Sequence, residues 1–296
     1  MFLALLVLFA VVLTVAPAAD DLPARLHRYA EAHHLERLPL AAISPYLREA
    51  VVATEDERFY QHKGVDLIGI LRAIPYDLSH FSLAQGASTI QEQLGKILYL
   101  DSSDHSLWGK LVDTAIGMRL GRNYTHEQVL DAYLNVVYFG EGSYGAQSAC
   151  RHYFDRPAGR LTLAQASLLA GLIQAPSRYA PTLNPRAARL RQLVVLRAMV
   201  RNGDTTVAEA TAALSHTLRF ANGSTLPPLR NVSLAPGAPF DWAELALAAV
   251  LLGLAAVAFR TARIADPPLP RLALQIGSLV LLTTALYSAA LSIQTI

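Results

Sequence analysis

Apolar residues follow two patterns along this chain of 296 residues. Residues 1–19, 242–259 and 272–293 form three stretches with at most one charged residue each. Each stretch is close to the roughly 20 apolar residues that a membrane-crossing helix needs. Elsewhere, apolar residues recur at the spacing of one face of an α-helix. The pattern therefore predicts an N-terminal membrane anchor, a C-terminal transmembrane helical hairpin and a mostly α domain between them.

The helical pattern divides the middle of the chain into several elements. A short polar helix and a connector occupy residues 20–45, and a stronger helical pattern begins at Pro45. Thr125 and Thr162 are each followed three residues later by Gln, as in a capping box at a helix start. Further helices are predicted over residues 88–100, 107–120, 125–137, 145–153, 162–173, 185–202 and 206–218.

Turn-forming residues mark the end of this domain. Residues 222–241 are rich in Pro, Gly, Ser and Asn and are predicted to link the domain, residues 46–221, to the second span. No alternating pattern long enough for a regular strand stands out. The sequence therefore predicts one mostly α domain with a linker behind it.

The loop between the last two spans, residues 260–271, indicates the orientation of the chain. Its three arginines outnumber its one aspartate. Short loops rich in arginine stay on the cytoplasmic side of a membrane. Residues 20–241 are therefore predicted to lie on the extracytoplasmic side of the cytoplasmic (inner) membrane.

The first apolar segment has two interpretations. Small residues at positions 16–18 would suit cleavage of a signal peptide. However, no Lys or Arg precedes the segment, and it is longer than the core of about 7–15 residues of a signal peptide. These two features favour an uncleaved anchor, and both interpretations stay open at this point.

Composition narrows the class of function. The formal net charge is only +2, and neither a basic run nor a glycine-rich phosphate loop occurs, so no nucleic-acid partner is expected. Cys150 is the single cysteine, which excludes an internal disulfide bond. The hydrophobic fraction of 53% is above that of ordinary soluble domains and agrees with the predicted spans.

The stretch VATEDERFYQHKGVD, residues 52–66, places three acids directly after an apolar helical run. Glu55 follows Val51 and Val52, so its carboxylate is expected to be partly desolvated at the helix end. Desolvation raises the pKa of a carboxyl group and suits it to exchange protons near neutral pH. The alternative is a helix end in solvent, and this stretch alone does not decide between the two.

Several ordered motifs change the balance between these two interpretations. The first, E-D-x-x-F-x-x-H-x-G-x-D, is met by Glu55, Asp56, Phe59, His62, Gly64 and Asp66. The second, G-x-S-T-I-x-Q-Q-L-x-K-N, is met by Gly86, Ser88, Thr89, Ile90, Gln93, Leu94 and Lys96. Two later motifs are met by Tyr133, Leu134, Asn135, Tyr138, Phe139 and Gly140, and by Arg191, Val195, Leu196 and Met199. Over residues 40–220 the sequence thus resembles the family 51 glycosyltransferases, the peptidoglycan polymerase domain of class A penicillin-binding proteins and of monofunctional transglycosylases.

The resemblance implies a lysozyme-like helical glycosyltransferase domain that polymerises lipid II, a disaccharide-pentapeptide carried on undecaprenyl diphosphate. Glu55 would be the general base of an inverting transfer to the nascent glycan chain, and Asp113 a second catalytic acid. Cationic side chains would balance the charge of the leaving diphosphate. The implied substrate-binding residues are His62, Ser88, Thr89, Gln93, Lys96, Lys110, Arg119 and Arg122.

Lysine usage gives a separate indication for the cationic residues. Of 25 basic residues only three are lysines, and Lys63, Lys96 and Lys110 all lie in the motif region. This choice indicates that a compact ammonium group is preferred there over a planar guanidinium. Chance clustering is the alternative explanation.

The sequence departs from the family pattern at several positions. The third motif, R-K-x-x-E, falls on residues 109–113, where Gly109 replaces the arginine and Asp113 the glutamate. Glu92 and Ile97 depart from the second motif. The changes at Gly109, Asp113 and Ile97 support an alternative from a different class, a membrane-anchored protein that binds lipid II or glycan with little or no turnover. A glycan-cleaving muramidase is a third and less favoured hypothesis.

Partners and cofactors follow from the resemblance. Neither Ser-x-x-Lys nor Lys-Thr-Gly occurs, so no transpeptidase is predicted and separate transpeptidases are expected to cross-link the product. Dependence on Mg²⁺ or Mn²⁺ stays open, and such a metal would lie near Glu55. Apolar residues at 68–83 are interpreted either as core or as a segment that dips into the outer leaflet.

Overall fold

Helices make up most of the chain that this computed structural model describes, namely residues 11–69, 88–100, 107–230, 232 and 234. The helices are α1 (Leu22–Ala32), α2 (Pro45–Glu55), α3 (Ile90–Tyr99), α4 (Leu107–Asn123), α5 (His126–Val136), α6 (Ala146–Phe154), α7 (Leu163–Leu172), α8 (Pro176–Tyr179), α9 (Pro185–Asn202) and α10 (Val207–Ser215). Short 3-10 turns lie at Leu40–Ala42, Phe59–Gln61 and Ala158–Arg160. Two strands, β1 (Leu218–Arg219) and β2 (Thr225–Leu226), pair antiparallel. The mostly α fold class is confirmed for the described residues.

Capping residues determine where several helices begin. The Thr125 hydroxyl accepts a hydrogen bond from the backbone N–H of Gln128, whose side chain accepts from the Thr125 N–H in return. Thr162 and Gln165 form the same reciprocal pair at the start of α7. Both predicted capping boxes are confirmed, and a third begins α10. Each box satisfies backbone donors that a helix start leaves unpaired.

Helix α7 lies in the middle of the described core. Residues 165–172 are all buried, so the helix is covered on every side. Helices α2 and α9 pack against α7 and against each other, while α3 packs against α4 and α5. Leu47 and Val51 of α2 and Leu196 of α9 are fully buried in this arrangement. This packing fixes α2 against α7 and α9.

The described core extends beyond both ends of the predicted domain, residues 46–221. Leu22 and Leu26 of α1 are buried before it, and Leu226 of β2 is buried after it. The segment predicted as a linker, residues 222–241, therefore begins as part of the packed structure. In the sequence, the first residues of this segment resemble a linker. Turn-forming residues flank strand β2, which is too short to show a periodic pattern.

Arg189 connects α9 to the hairpin that β1 and β2 form. It is 2% exposed and donates to the carbonyl oxygens of Leu226 at 2.9 Å, His216 at 2.8 Å and Pro227 at 2.6 Å. Burial lowers the pKa of its guanidinium to about 10. Three charge-assisted hydrogen bonds compensate for that burial and fix the hairpin to the core.

The predicted membrane spans lie mostly outside the described residues. Residues 1–10, 242–259 and 272–293 are outside, as is the apolar segment 70–83. Within the described part of the chain, no helix combines the length and the apolar character needed to span a membrane.

Candidate active site

Glu55 is the last residue of α2, where the buried face of the helix ends. Val51 and Val52 on the preceding turn are buried, and the Glu55 side chain itself is only 9% exposed. The apolar run that precedes Glu55 thus carries its carboxylate away from water, as the sequence predicted. Such a position favours a carboxyl group that exchanges protons over one that is simply solvated.

Gln93 of α3 holds one oxygen of this carboxylate. Its amide N–H donates to Glu55 Oε2 at 3.0 Å, and its amide oxygen accepts from the Tyr133 hydroxyl at 2.6 Å. The other oxygen, Glu55 Oε1, is buried and has no hydrogen-bond donor among the described residues. Arg191 of α9 places Nη2 3.8 Å from that oxygen, as a charge contact. The carboxylate therefore has one fixed oxygen and one with acceptor capacity left.

These neighbours set the acidity of Glu55. Burial raises its pKa above the ordinary value of 4.5, and the nearby charge of Asp56 adds to the rise. The hydrogen bond from Gln93 and the charge of Arg191 act in the opposite direction. Burial also raises the pKa of the Tyr133 hydroxyl well above its ordinary value, so this group keeps the proton that it donates.

Asp56, directly after Glu55, connects α2 to the start of α3. Its Oδ1 lies 2.8 Å from His62 Nε2, and its Oδ2 accepts from the backbone N–H of Ile90 at 3.0 Å. The Gly64 N–H donates to His62 Nδ1 at 3.2 Å, which leaves the Nε2 proton for Asp56. The Asp56 and His62 side chains are 3% and 7% exposed. The structure thus places His62 behind Glu55, where it orders the loop after α2.

Thr89 ties the start of α3 to the same loop. Its hydroxyl accepts from the Glu92 N–H at 3.2 Å and donates to the Gly64 carbonyl at 2.7 Å. Gly64 has a φ of +96°, and a Cβ there would lie 2.0 Å from the carbonyl oxygen of Gly117. Only glycine tolerates both conditions. The loop and α4 therefore meet backbone to backbone.

Glu92 and Lys110 join α3 to α4. The Glu92 side chain is 3% exposed, and its two oxygens accept from Lys110 Nζ at 2.7 Å and from the Thr114 hydroxyl at 2.9 Å. Lys110 is 44% exposed and also donates to the Ser88 hydroxyl at 2.8 Å. An ammonium group is thus held next to the first turn of α3 with part of its surface open to a ligand.

The family of the chain follows from a comparison with family models. A model described as Transglycosylase matches residues 23–200, which include Glu55, Gln93 and Lys110. The chain belongs to the transglycosylase family. The match confirms the resemblance drawn from the motifs and makes the chain a glycosyltransferase.

Relatives agree with this assignment. The transglycosylase is 42% identical over 188 residues to a Cupriavidus necator protein whose name places it among the transglycosylases, and the match covers 64% of this chain and 80% of that protein. It is 38% identical over 174 residues to penicillin-binding protein 1A of Neisseria flavescens, covering 59% of this chain and 22% of that protein. The relatives do not favour the alternative of a binding protein without turnover.

The chain is also similar to solved structures, among them one of a penicillin-binding protein. The crystal structure of penicillin-binding protein 1A from Haemophilus influenzae matches with 20% identity and a TM-score of 0.36, over 63% of this chain and 18% of that chain.

Three predicted site residues of the transglycosylase lie along α3 and α4. Lys96 follows Gln93 by one turn on the same face of α3 and is partly buried. Asp113 follows Lys110 by one turn of α4 and is also partly buried. Arg122 is exposed in the last turn of α4.

Arg119, a predicted substrate-binding residue, contacts the N-terminal segment. Its guanidinium donates to the carbonyl oxygens of Leu13, Ala16 and Pro17, the last at 2.6 Å. Residues 11–15 are helical, so Arg119 satisfies carbonyl groups that a helix end leaves unpaired. The structure therefore gives Arg119 polypeptide partners on the face of α4 that meets the N-terminal segment.

Several residues of the site were not among those predicted. Asp56, Tyr133 and Arg191 were visible only as motif positions, and Glu92 only as a departure from a motif. Periodicity places a residue on a helix face, but it does not show which faces of α9 and α5 point toward Glu55. Their positions follow from tertiary packing, which the motifs alone do not encode.

The described residues do not offer a metal site of three or more His, Cys, Asp or Glu side chains. The three buried carboxylates of the site, Glu55, Asp56 and Glu92, have nitrogen and hydroxyl donors as neighbours.

Proposed function

We propose that the transglycosylase polymerises lipid II into glycan strands and releases undecaprenyl diphosphate. The observation that carries the proposal is the Glu55 carboxylate, with Oε2 held by Gln93 and Oε1 buried without a donor in the described structure. A buried acceptor without a donor costs free energy. A sugar hydroxyl that donates to Oε1 would remove this cost and would be placed for proton transfer.

In the proposed step, one proton is transferred, one bond to the anomeric carbon forms and one bond to that carbon breaks. The 4-hydroxyl oxygen of the acceptor sugar bonds to the anomeric carbon of the lipid-linked donor chain, and Glu55 Oε1 takes the hydroxyl proton. The bond from that carbon to the diphosphate oxygen breaks, and its electron pair leaves with the diphosphate. Attack from the side opposite the leaving group inverts the configuration at the carbon. No further reactant is needed.

Lys110 is our first candidate to balance the leaving diphosphate. Glu92 and Ser88 hold its Nζ, while 44% of the side chain is exposed. The site lies at the first turn of α3, where the helix dipole also favours negative charge. Lys96 is the second candidate, and Asp113, one turn from Lys110, is proposed as the second catalytic acid.

The proposal also includes the cellular location of the transglycosylase domain. We place the domain on the extracytoplasmic side of the cytoplasmic membrane, held there by the spans predicted from the sequence. The arginine-rich loop at residues 260–271 supports this orientation. Lipid II and the growing glycan chain would be the ligands, and separate transpeptidases would cross-link the strands.

Polymerisation of lipid II by the purified full chain in detergent tests the function. Glu55→Gln keeps the size of the side chain and still accepts from Gln93, but it cannot take a proton. The rate should therefore fall about 100- to 10,000-fold. Glu57→Gln is the matched control because Glu57 is 39% exposed and pairs with Arg201 on the surface.

The outcomes separate the two hypotheses from the sequence. Loss of polymer with Glu55→Gln and normal polymer with Glu57→Gln supports the proposal. Normal polymerisation by Glu55→Gln contradicts the role of the base. A wild-type chain that binds labelled lipid II and makes no polymer would favour the binding protein instead.

A further inference from the structure

We infer that Tyr133 is a positioning residue that acts through Gln93 to orient the base Glu55. The inference rests on the proposed function, since it concerns the base of that reaction. The three side chains form a line of two hydrogen bonds, from the Tyr133 hydroxyl to Gln93 Oε1 at 2.6 Å and from Gln93 Nε2 to Glu55 Oε2 at 3.0 Å.

The hydroxyl of Tyr133 decides which end of the Gln93 amide faces the base. A glutamine amide has an acceptor end and a donor end of nearly the same shape, so its orientation depends on its neighbours. Tyr133 is fully buried, and its hydroxyl donates to the acceptor end. The donor end is left for Glu55. The amide N–H therefore points at the carboxylate whether or not the carboxylate is ionised.

Removal of the Tyr133 hydroxyl would change the balance between the ionised and the protonated form of Glu55. The amide oxygen of Gln93 would lose its donor, and the amide could turn so that its oxygen meets a protonated Glu55. A donor that faces a carboxyl group favours the ionised form, whereas an acceptor favours the protonated form. Without the Tyr133 hydroxyl, a smaller fraction of Glu55 would be ionised at a given pH, and less base would be ready to react.

Helix α5 holds Tyr133 firmly enough for this role. Two residues on, Asn135 exchanges two hydrogen bonds with the backbone of Leu38, at 2.8 Å and 2.9 Å. This pair fixes α5 against the connector that precedes α2, the helix that carries Glu55. The position of the hydroxyl is thus determined from outside the site, as a positioning residue requires.

The test compares pH–rate profiles of lipid II polymerisation for wild type and Tyr133→Phe. The acid side of the profile should move to higher pH in the variant, and the maximal rate should fall by up to about 100-fold. Tyr153→Phe is the matched control, since Tyr153 is also buried and its hydroxyl donates to the Phe139 carbonyl at 3.2 Å, away from Glu55. Its profile should keep the wild-type shape.

Gln93→Leu and the double variant Tyr133→Phe/Gln93→Leu show whether Tyr133 acts through Gln93. Gln93→Leu should shift the acid side in the same direction, and the double variant should behave like Gln93→Leu alone. A further loss of rate in the double variant would mean a separate structural role for Tyr133 and would overturn the inference.

The remaining outcomes of these experiments distinguish a failure of the inference from a failure of the proposed function. An unchanged acid side in a folded Tyr133→Phe overturns the inference while leaving the proposed function intact. If Tyr133→Phe does not fold, an unshifted acid side in Gln93→Leu overturns it. A wild-type chain that makes no polymer contradicts the proposed function itself.

Discussion

The carboxylate of Asp56 lies 2.8 Å from the imidazole of His62, and both side chains are almost completely buried. Asp56 directly follows the base Glu55, and its second oxygen accepts from the Ile90 N–H at the start of α3. The pair therefore sets the end of α2 relative to α3. This arrangement is what brings Gln93 within hydrogen-bonding distance of the base.

Asp56→Ala should lower the free energy of unfolding by about 1–3 kcal/mol, because it leaves His62 and the Ile90 N–H buried without an acceptor. Urea unfolding of the full chain in detergent measures this change. The neighbouring Glu57→Ala should change the free energy by less than about 0.5 kcal/mol, since Glu57 lies at the surface. Equal losses in the two variants would contradict a special role for Asp56.

Glu55→Gln should stabilise the fold at neutral pH although it removes activity. The folded state raises the pKa of Glu55 above 4.5, mainly through burial, so ionised Glu55 weakens the fold. The gain from Glu55→Gln should be full above the raised pKa and disappear below 4.5, where the carboxyl group is protonated both folded and unfolded. Thermal unfolding at a series of pH values measures it. A gain that does not depend on pH would contradict the assigned cause.

Lys110→Met should lower both stability and activity. It leaves the Glu92 carboxylate buried with only Thr114 as a side-chain donor among the described residues, which should cost about 1–3 kcal/mol of unfolding free energy. The double variant Lys110→Met/Glu92→Gln removes the uncompensated charge, so it should recover most of the stability and none of the polymerisation. Recovery of both would show that Lys110 is only a structural partner of Glu92.

Asp113→Glu should raise the turnover of lipid II by up to about 10-fold, because the longer side chain brings the carboxylate one methylene closer to the position that the family motif expects. Initial rates of polymerisation measure the change. Asp20→Glu, at an exposed position before α1, is the control and should have no effect. If the Asp113→Glu variant turns over lipid II more slowly than the wild type, the surrounding site is adapted to the shorter side chain of aspartate.

Much of the fold could be predicted because its signals are local. The predicted helix over residues 185–202 coincides with α9, and the capping threonines Thr125 and Thr162 occupy the positions that their motifs indicated. The last predicted helix continued to residue 218, whereas α10 ends at Ser215 and Leu218 enters β1. Helix α8 and the two strands were missed because they are too short to show a period.

The site could be predicted only as a set of motif residues. Glu55 and Gln93 come from separate motifs, and the structure brings them together through Asp56. Arg119 and Arg191 both lie on helices with mixed polar and apolar neighbours, yet one contacts the N-terminal segment and the other contacts Glu55. The different contacts of these two arginines follow from long-range packing, which no local sequence pattern indicates.

The close contact between Gly64 and Gly117 also governs the dimensions of the site. A Cβ at position 117 would lie 2.8 Å from Glu92 Cγ, so a single methyl group there would act as a spacer between α4 and α3. Lys110 lies on α4 and its partner Glu92 on α3, so the spacer would lengthen the 2.7 Å contact between their charged groups. Two residues without reactive side chains thus keep the two helices close enough for this ion pair to form.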